Sequence, residues 1–194
     1  MTLIETLHQE IIEYQKRLQR VPFVIGIDGR CGSGKSTLAQ ELSLLLNAPV
    51  CHMDDYYLPI ALREEDSLEK VGGNIQSERF LEEVLYPLEK GQQIHYQPFN
   101  CRTQPMELPV ILQASTIYII EGAYSLLPQF ISTYSYTLFF THTQEMQQER
   151  LKKRVGETRL VDFNEQWIPL EERYFRQYNI KEQCTRVVDT TSLW

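Results

Sequence analysis

The sequence predicts an α/β domain with three layers, α/β/α, around a central, mainly parallel five-stranded sheet. Three observations predict it. Short apolar runs of buried-strand type recur along the chain: FVIGI (23–27), STIYIIEG (115–122) and YTLFFT (136–141). Segments long enough for helices lie between them, which calls for crossover connections and a parallel sheet. Glycines, acids and hydroxyls gather just after the runs, where open α/β sheets receive their ligands.

In chain order, Leu3, Ile4, Leu7, Ile11, Tyr14 and Leu18 share a helical face, so a helix over 3–20 fills the N-terminal segment 1–21 and ends before Pro22. It carries no catalytic pattern and is expected on the outer face or at a dimer contact. FVIGI is the first strand, Ser36–Leu46 a helix and APVCHM (48–53) the second strand. Residues 54–76, with Pro59 and the Gly72-Gly73 pair, read as loop and ligand-facing segment. A helix spans 77–91, with Ser77 as its cap, Arg79 and Glu82 on exposed turns and Gly91 at its end. QIHYQPF and MELPVIL alternate about a polar turn and predict a hairpin insertion over about 92–113. Strands follow at 115–122 and 136–141, a charged helix at 143–154, another helix around Pro169 and a last strand in TRVVDTT (185–191). No repeat or linker divides residues 1–194, which form one domain with a short lid at about 150–165.

The 194 residues are enough for one core, and the formal charge of −7 argues against a nucleic-acid partner. No apolar run reaches the roughly 20 residues of a membrane span, and the charged N-terminus is unlike a signal peptide. Cys31, Cys51, Cys101 and Cys184 show no zinc spacing and read as reduced thiols of a cytoplasmic protein, which is free to form homo-oligomers.

GRCGSGKS (29–36) matches G-x-x-x-x-G-K-[ST] in full and lies between a strand and a helix, the context that motif needs. The glycines allow backbone angles closed to other residues and let the chain approach a phosphate. Backbone N–H groups then form an anion nest at a helix N-terminus. The reading is a P-loop NTPase-type fold that binds ATP through Gly29, Gly32, Ser33, Gly34, Lys35, Ser36 and Thr37, with the Ser36 hydroxyl on Mg²⁺. Cys31 is expected partly exposed, with a thiol pKa lowered by nearby helix N–H groups. GTPase strings for guanine and for a D-x-x-G switch do not occur. Asp54, just past strand two, is placed to orient or deprotonate an acceptor hydroxyl, and one acid of Asp54-Asp55 should face away. His52 and His95 read as satisfied or surface histidines.

The order GIDGRCGSGKSTLAQEL, MDDYY, YQPFNCRT, IIEGAYSLL, ERLKKR and VVDT resembles the uridine kinase branch of P-loop kinases, a group that also holds pantothenate kinase and phosphoribulokinase. The resemblance implies a kinase acting on a small-molecule acceptor, with Asp54 as catalytic aspartate and Tyr57 lining the acceptor pocket. It implies Glu121 near the metal and Arg150 and Arg154, with Arg159 beyond them, as lid cations over the phosphates. Gln76 stands where uridine kinases carry a ribose-binding aspartate. Tyr96, Phe99 and Arg102 remain from the pyrimidine-reading string, whose histidine is absent. Arg79 and Arg102 could instead meet an anionic acceptor. A nucleoside, a non-nucleoside metabolite and a catalytically silent nucleotide-binding protein all stay open.

Overall fold

A computed structural model of the chain describes residues 2–193 apart from 64–66, 68 and 102. The strands are β1 (Phe23–Gly29), β2 (Val50–His52), β3 (Ile94–Tyr96), β4 (Val110–Leu112), β5 (Ile117–Glu121), β6 (Tyr136–Thr141) and β7 (Arg186–Asp189). Five of them form one sheet in the order β2-β5-β1-β6-β7, every pair parallel. β3 and β4 pair antiparallel as the expected hairpin.

The central position of β1 explains its composition, because all seven of its residues are buried. Alternate residues serve opposite faces. Phe23, Ile25 and Ile27 pack with Leu38 and Leu42 of α2 (Lys35–Leu46) and with Leu7 and Ile11 of α1 (Leu3–Leu18). Val24 joins the other core, built from Phe80, Val84, Phe130, Phe139 and Tyr174. The N-terminal helix thus lies in an outer layer against α2. Thr2 and Glu5 begin it with a capping box, each side chain accepting the other's backbone N–H.

The 77–91 region is helical as predicted but not uniform: α3 (Ser77–Phe80), a π turn (Leu81–Leu85) and α4 (Tyr86–Glu89) follow one another. Ser77 is not the cap; Gln76 holds that position, and its side chain makes no capping hydrogen bond to the helix. Arg79 is not on an exposed turn. Its guanidinium pairs with Glu83 at 2.8 Å, donates to the Gln97 carbonyl and lies over the Tyr56 ring. The charged helix expected at 143–154 runs on as α5 (Gln144–Asp162), interrupted at Gly156, where φ is 78° and ψ 169°. A π turn (Phe163–Trp167) leads into α6 (Ile168–Gln177), and α7 (Ile180–Gln183) precedes β7. Among the described residues, no helix is long and apolar enough to cross a membrane.

Candidate active site

The glycine loop leaves β1 at the sheet centre and enters α2. Gly29 has φ +137°, and a Cβ there would lie 2.1 Å from the Phe140 carbonyl oxygen of β6, so neither conformation nor space admits a side chain. Gly34, at φ 84°, is the N-cap of α2 and has no side chain to block the helix amides. The Lys35 ammonium donates to the Gly29 and Arg30 carbonyls at 2.6 and 3.0 Å, poised over the loop. Ser36 and Thr37 are exposed in the first turn of α2.

Strand ends bring the acids to this loop. The Ser36 hydroxyl donates to Glu121 Oε2 at 3.2 Å, and Glu121 Oε1 pairs with His52 Nδ1 at 2.5 Å. That pairing raises the His52 pKa, burial opposing it. Gly122 follows at φ +132°, where a Cβ would sit 2.9 Å from Met53 Cβ, so glycine lets the end of β2 close on β5. A 3₁₀ turn, Met53–Tyr56, rather than extended chain, then parts the two aspartates. Asp54 stays open to solvent, yet crowding by protein and the Glu121 charge raise its pKa. Asp55 turns away to accept a hydrogen bond from Tyr96, and burial raises its pKa.

Of the residues expected to line an acceptor pocket, Tyr57 is near Asp54 and Glu171; burial and the Asp54 charge push its phenol pKa well up. Gln76 is engaged, its Nε2 donating to the Tyr57 carbonyl at 3.0 Å. Tyr96 is buried, stacked on Tyr56 and bonded to Asp55, and Phe99 is buried as well. Arg102 lies outside the described residues.

The two arms flanking Gly156 differ from a freely hanging lid. Arg150 donates to the Gly32 carbonyl at 3.4 Å and to Thr190 O and Oγ1 at 2.6 and 3.1 Å, tying α5 to the loop and to the end of β7. Arg154 is exposed, its guanidinium 5.5 Å from the Phe163 ring centre, and Arg159 is exposed beyond Gly156.

Cys31 contradicts the expectation of a reactive thiol. It is buried, and burial followed by the Glu171 charge drives its pKa far up. A thiol reagent applied to the folded protein should therefore modify exposed Cys101 first and leave Cys31 unmodified, as peptide mapping after brief alkylation would show.

Sequence reasoning passed over Asp28, although an acid inside an apolar strand is itself a signal. Fully buried, Asp28 accepts from the Gly29 and Leu126 N–H groups at 2.7 and 3.1 Å and from the Tyr174 hydroxyl at 2.9 Å. Burial raises its pKa from 3.8 to about 6 against the pull of Lys35 and these donors. Its contribution to stability is thus fully present below pH 3.8 and lost as pH rises through about 6. The whole window is worth at most about 3 kcal/mol. Urea midpoints across that window should fall with pH in the native protein and show a shallower slope in Asp28→Asn.

The donor set fits the groups that such a loop holds. Ser33 Oγ is buried without a hydrogen-bond partner in the loop, a vacancy suited to a phosphate oxygen. The Ser36 hydroxyl and Glu121 carboxylate are hard oxygen donors for Mg²⁺. Among the described residues, no group of three or more His, Cys, Asp or Glu side chains is arranged to hold a metal alone.

No protein-family model matches the chain. A curated pantothenate kinase from Limosilactobacillus reuteri subsp. reuteri is 27% identical over 143 residues, 62% of this chain and 46% of that protein. The chain thus spans about half the length of the curated relative it matches. A solved possible uridine kinase from Bacillus stearothermophilus superposes with TM-score 0.69 at 21% identity, covering 95% of this chain and 100% of that one. A protein from Silicibacter sp. TM1040, provisionally assigned as a fructose transport system kinase, gives 0.72 at 20% identity over 97% and 99% of the two chains. The chain thus shares the overall fold of these two solved proteins over nearly its whole length.

Proposed function

We propose that the chain is an ATP- and Mg²⁺-dependent kinase that transfers the γ-phosphoryl group to a hydroxyl of a small metabolite, with a nucleoside as the first acceptor to test. The observation that carries the reading is convergence. Lys35 with Ser36, Asp54 and Glu121 come from three separate stretches, and the sheet gathers them around one glycine loop. A catalytically silent nucleotide-binding protein would have no need of Asp54 and Glu121 at that place.

In this mechanism the loop amides and Lys35 bind the phosphates, and Ser36 with Glu121 positions the metal, His52 orienting the carboxylate. Bound Mg²⁺ would neutralise charge on the phosphate oxygens. Asp54 accepts the hydrogen bond of the acceptor hydroxyl and takes its proton as the bond to phosphorus forms. Its raised pKa makes it a stronger base than an ordinary aspartate. Arg154, exposed on α5 just before Gly156, meets the charge of the transferring group, while Arg150 fixes the loop and the end of β7. Positioning and electrostatics supply most of the rate.

A second reading, a non-nucleoside acceptor of the pantothenate or sugar class, has its own support. Gln76 and Tyr96, residues aligned with nucleoside recognition, are each engaged inside the fold. The stretch shared with a pantothenate kinase points the same way. ADP release from Mg-ATP across uridine, cytidine, nicotinamide riboside, pantothenate and several sugars separates the two. A nucleoside hit establishes the first reading, a pantothenate or sugar hit the second, and silence on all of them counts against both.

A further inference from the structure

The first residues of the phosphate loop are gripped from α6. Tyr174 donates to Asp28, Glu172 pairs with Arg30 at 2.9 Å, and Glu171 Oε2 accepts the Cys31 N–H at 3.0 Å. Cys31 is held from the other side as well, its carbonyl accepting from Gln147 Nε2 and lying 3.1 Å from His142 Nε2. Every backbone group of this loop residue is therefore occupied, and its N–H is occupied by an anion.

Glu171 is an unusual choice for that place. It is 7% exposed, and the cation that acts on it is Lys35, the residue expected to meet the outer phosphates. Burial raises its pKa, and Lys35 and the Cys31 N–H oppose the rise. A carboxylate inside an anion nest and beside the phosphate-binding lysine competes with phosphate for the same donors.

We propose that Glu171 is the loop's own counter-anion, which the terminal phosphate of a triphosphate must displace from the Cys31 N–H. The loop stays ordered before nucleotide arrives because Glu171 satisfies it. Arrival of the terminal phosphate then releases one of the three ties between the loop and α6, so that phosphate binding loosens the arm that follows Gly156. Glu171 is thereby a positioning residue and sets the preference between triphosphate and diphosphate. The inference rests on the loop's binding a polyphosphate but not on the identity of the acceptor.

Calorimetric titration of the full chain with Mg-ATP and with ADP tests it. Glu171→Gln keeps an oxygen for the Cys31 N–H but removes the charge. It should bind ATP roughly five- to tenfold more tightly than the native chain, with a smaller gain for ADP. Glu171→Asp, whose shorter side chain withdraws from the N–H, should tighten ATP to a lesser extent. Glu165→Gln, an equal charge change at an exposed position of the preceding π turn, should match the native chain. Equal or weaker ATP binding by Glu171→Gln with an unchanged melting temperature overturns the proposal, as does an equal gain for ATP and ADP. Should Glu171→Gln not fold, Glu171→Asp decides, and ATP binding no tighter than native overturns it. If the native chain binds neither nucleotide, the phosphate-loop reading itself falls, and this inference with it.

Discussion

Asp54→Asn is expected to cut turnover by roughly a hundred- to ten-thousandfold while leaving Mg-ATP affinity within about a factor of two. The split follows from where the side chain sits. Asp54 is open to solvent, while the glycine loop's donors are backbone amides and Lys35, whose ammonium is held by the Gly29 and Arg30 carbonyls rather than by Asp54. Asparagine fills the same space and can still accept a hydrogen bond, but it cannot take a proton near neutral pH. Equal loss of affinity and turnover would place Asp54 among the nucleotide-binding groups. Unchanged turnover would remove it from the chemistry.

Gly29→Ala should be the most damaging single-methyl change in the chain, costing roughly 3–5 kcal/mol. Two penalties coincide there. The backbone sits at φ +137°, and the added Cβ would meet the Phe140 carbonyl at 2.1 Å. That carbonyl accepts the Arg30 N–H and belongs to the ladder between β1 and β6, so it cannot retreat without unpairing the sheet centre. For a chain of this size, the melting temperature should drop by about 10 °C or more. Gly156→Ala gives the contrast, because nothing lies within 4 Å of the Cβ it would add, although φ there is also positive. A melting temperature for Gly29→Ala equal to the native one would mean that β6 does not press on the loop as described.

What the sequence made legible has a physical boundary. The glycine loop, the strand periodicity and the hairpin are local: each depends on residues within a few positions, so pattern alone placed them. The 3₁₀ turn at Met53–Tyr56 still gave the expected result, Asp54 and Asp55 facing apart, by a different route from extended chain. The misreadings came from long-range contacts. Arg79 looked exposed because its sinks, Tyr56 and the Gln97 carbonyl, lie on other elements. Cys31 looked reactive because the burial that raises its pKa, and the Glu171 carboxylate that adds to it, come from elements far along the chain, Glu171 standing 140 positions later on α6. Glu171 itself is one acid among several on an amphipathic helix, and no spacing distinguishes it. Asp28 is different: its place within a fully buried strand was a signal, and its three donors explain it.

The most direct measurement follows the phosphorus atom itself. Phosphorus-31 NMR of native protein, Mg-ATP and the acceptor panel should show the γ-phosphorus signal move into a phosphomonoester on one acceptor, with ADP formed in equal amount. A γ-phosphorus that stays in ATP, or appears only as inorganic phosphate with every acceptor, would contradict the account of this site as a kinase.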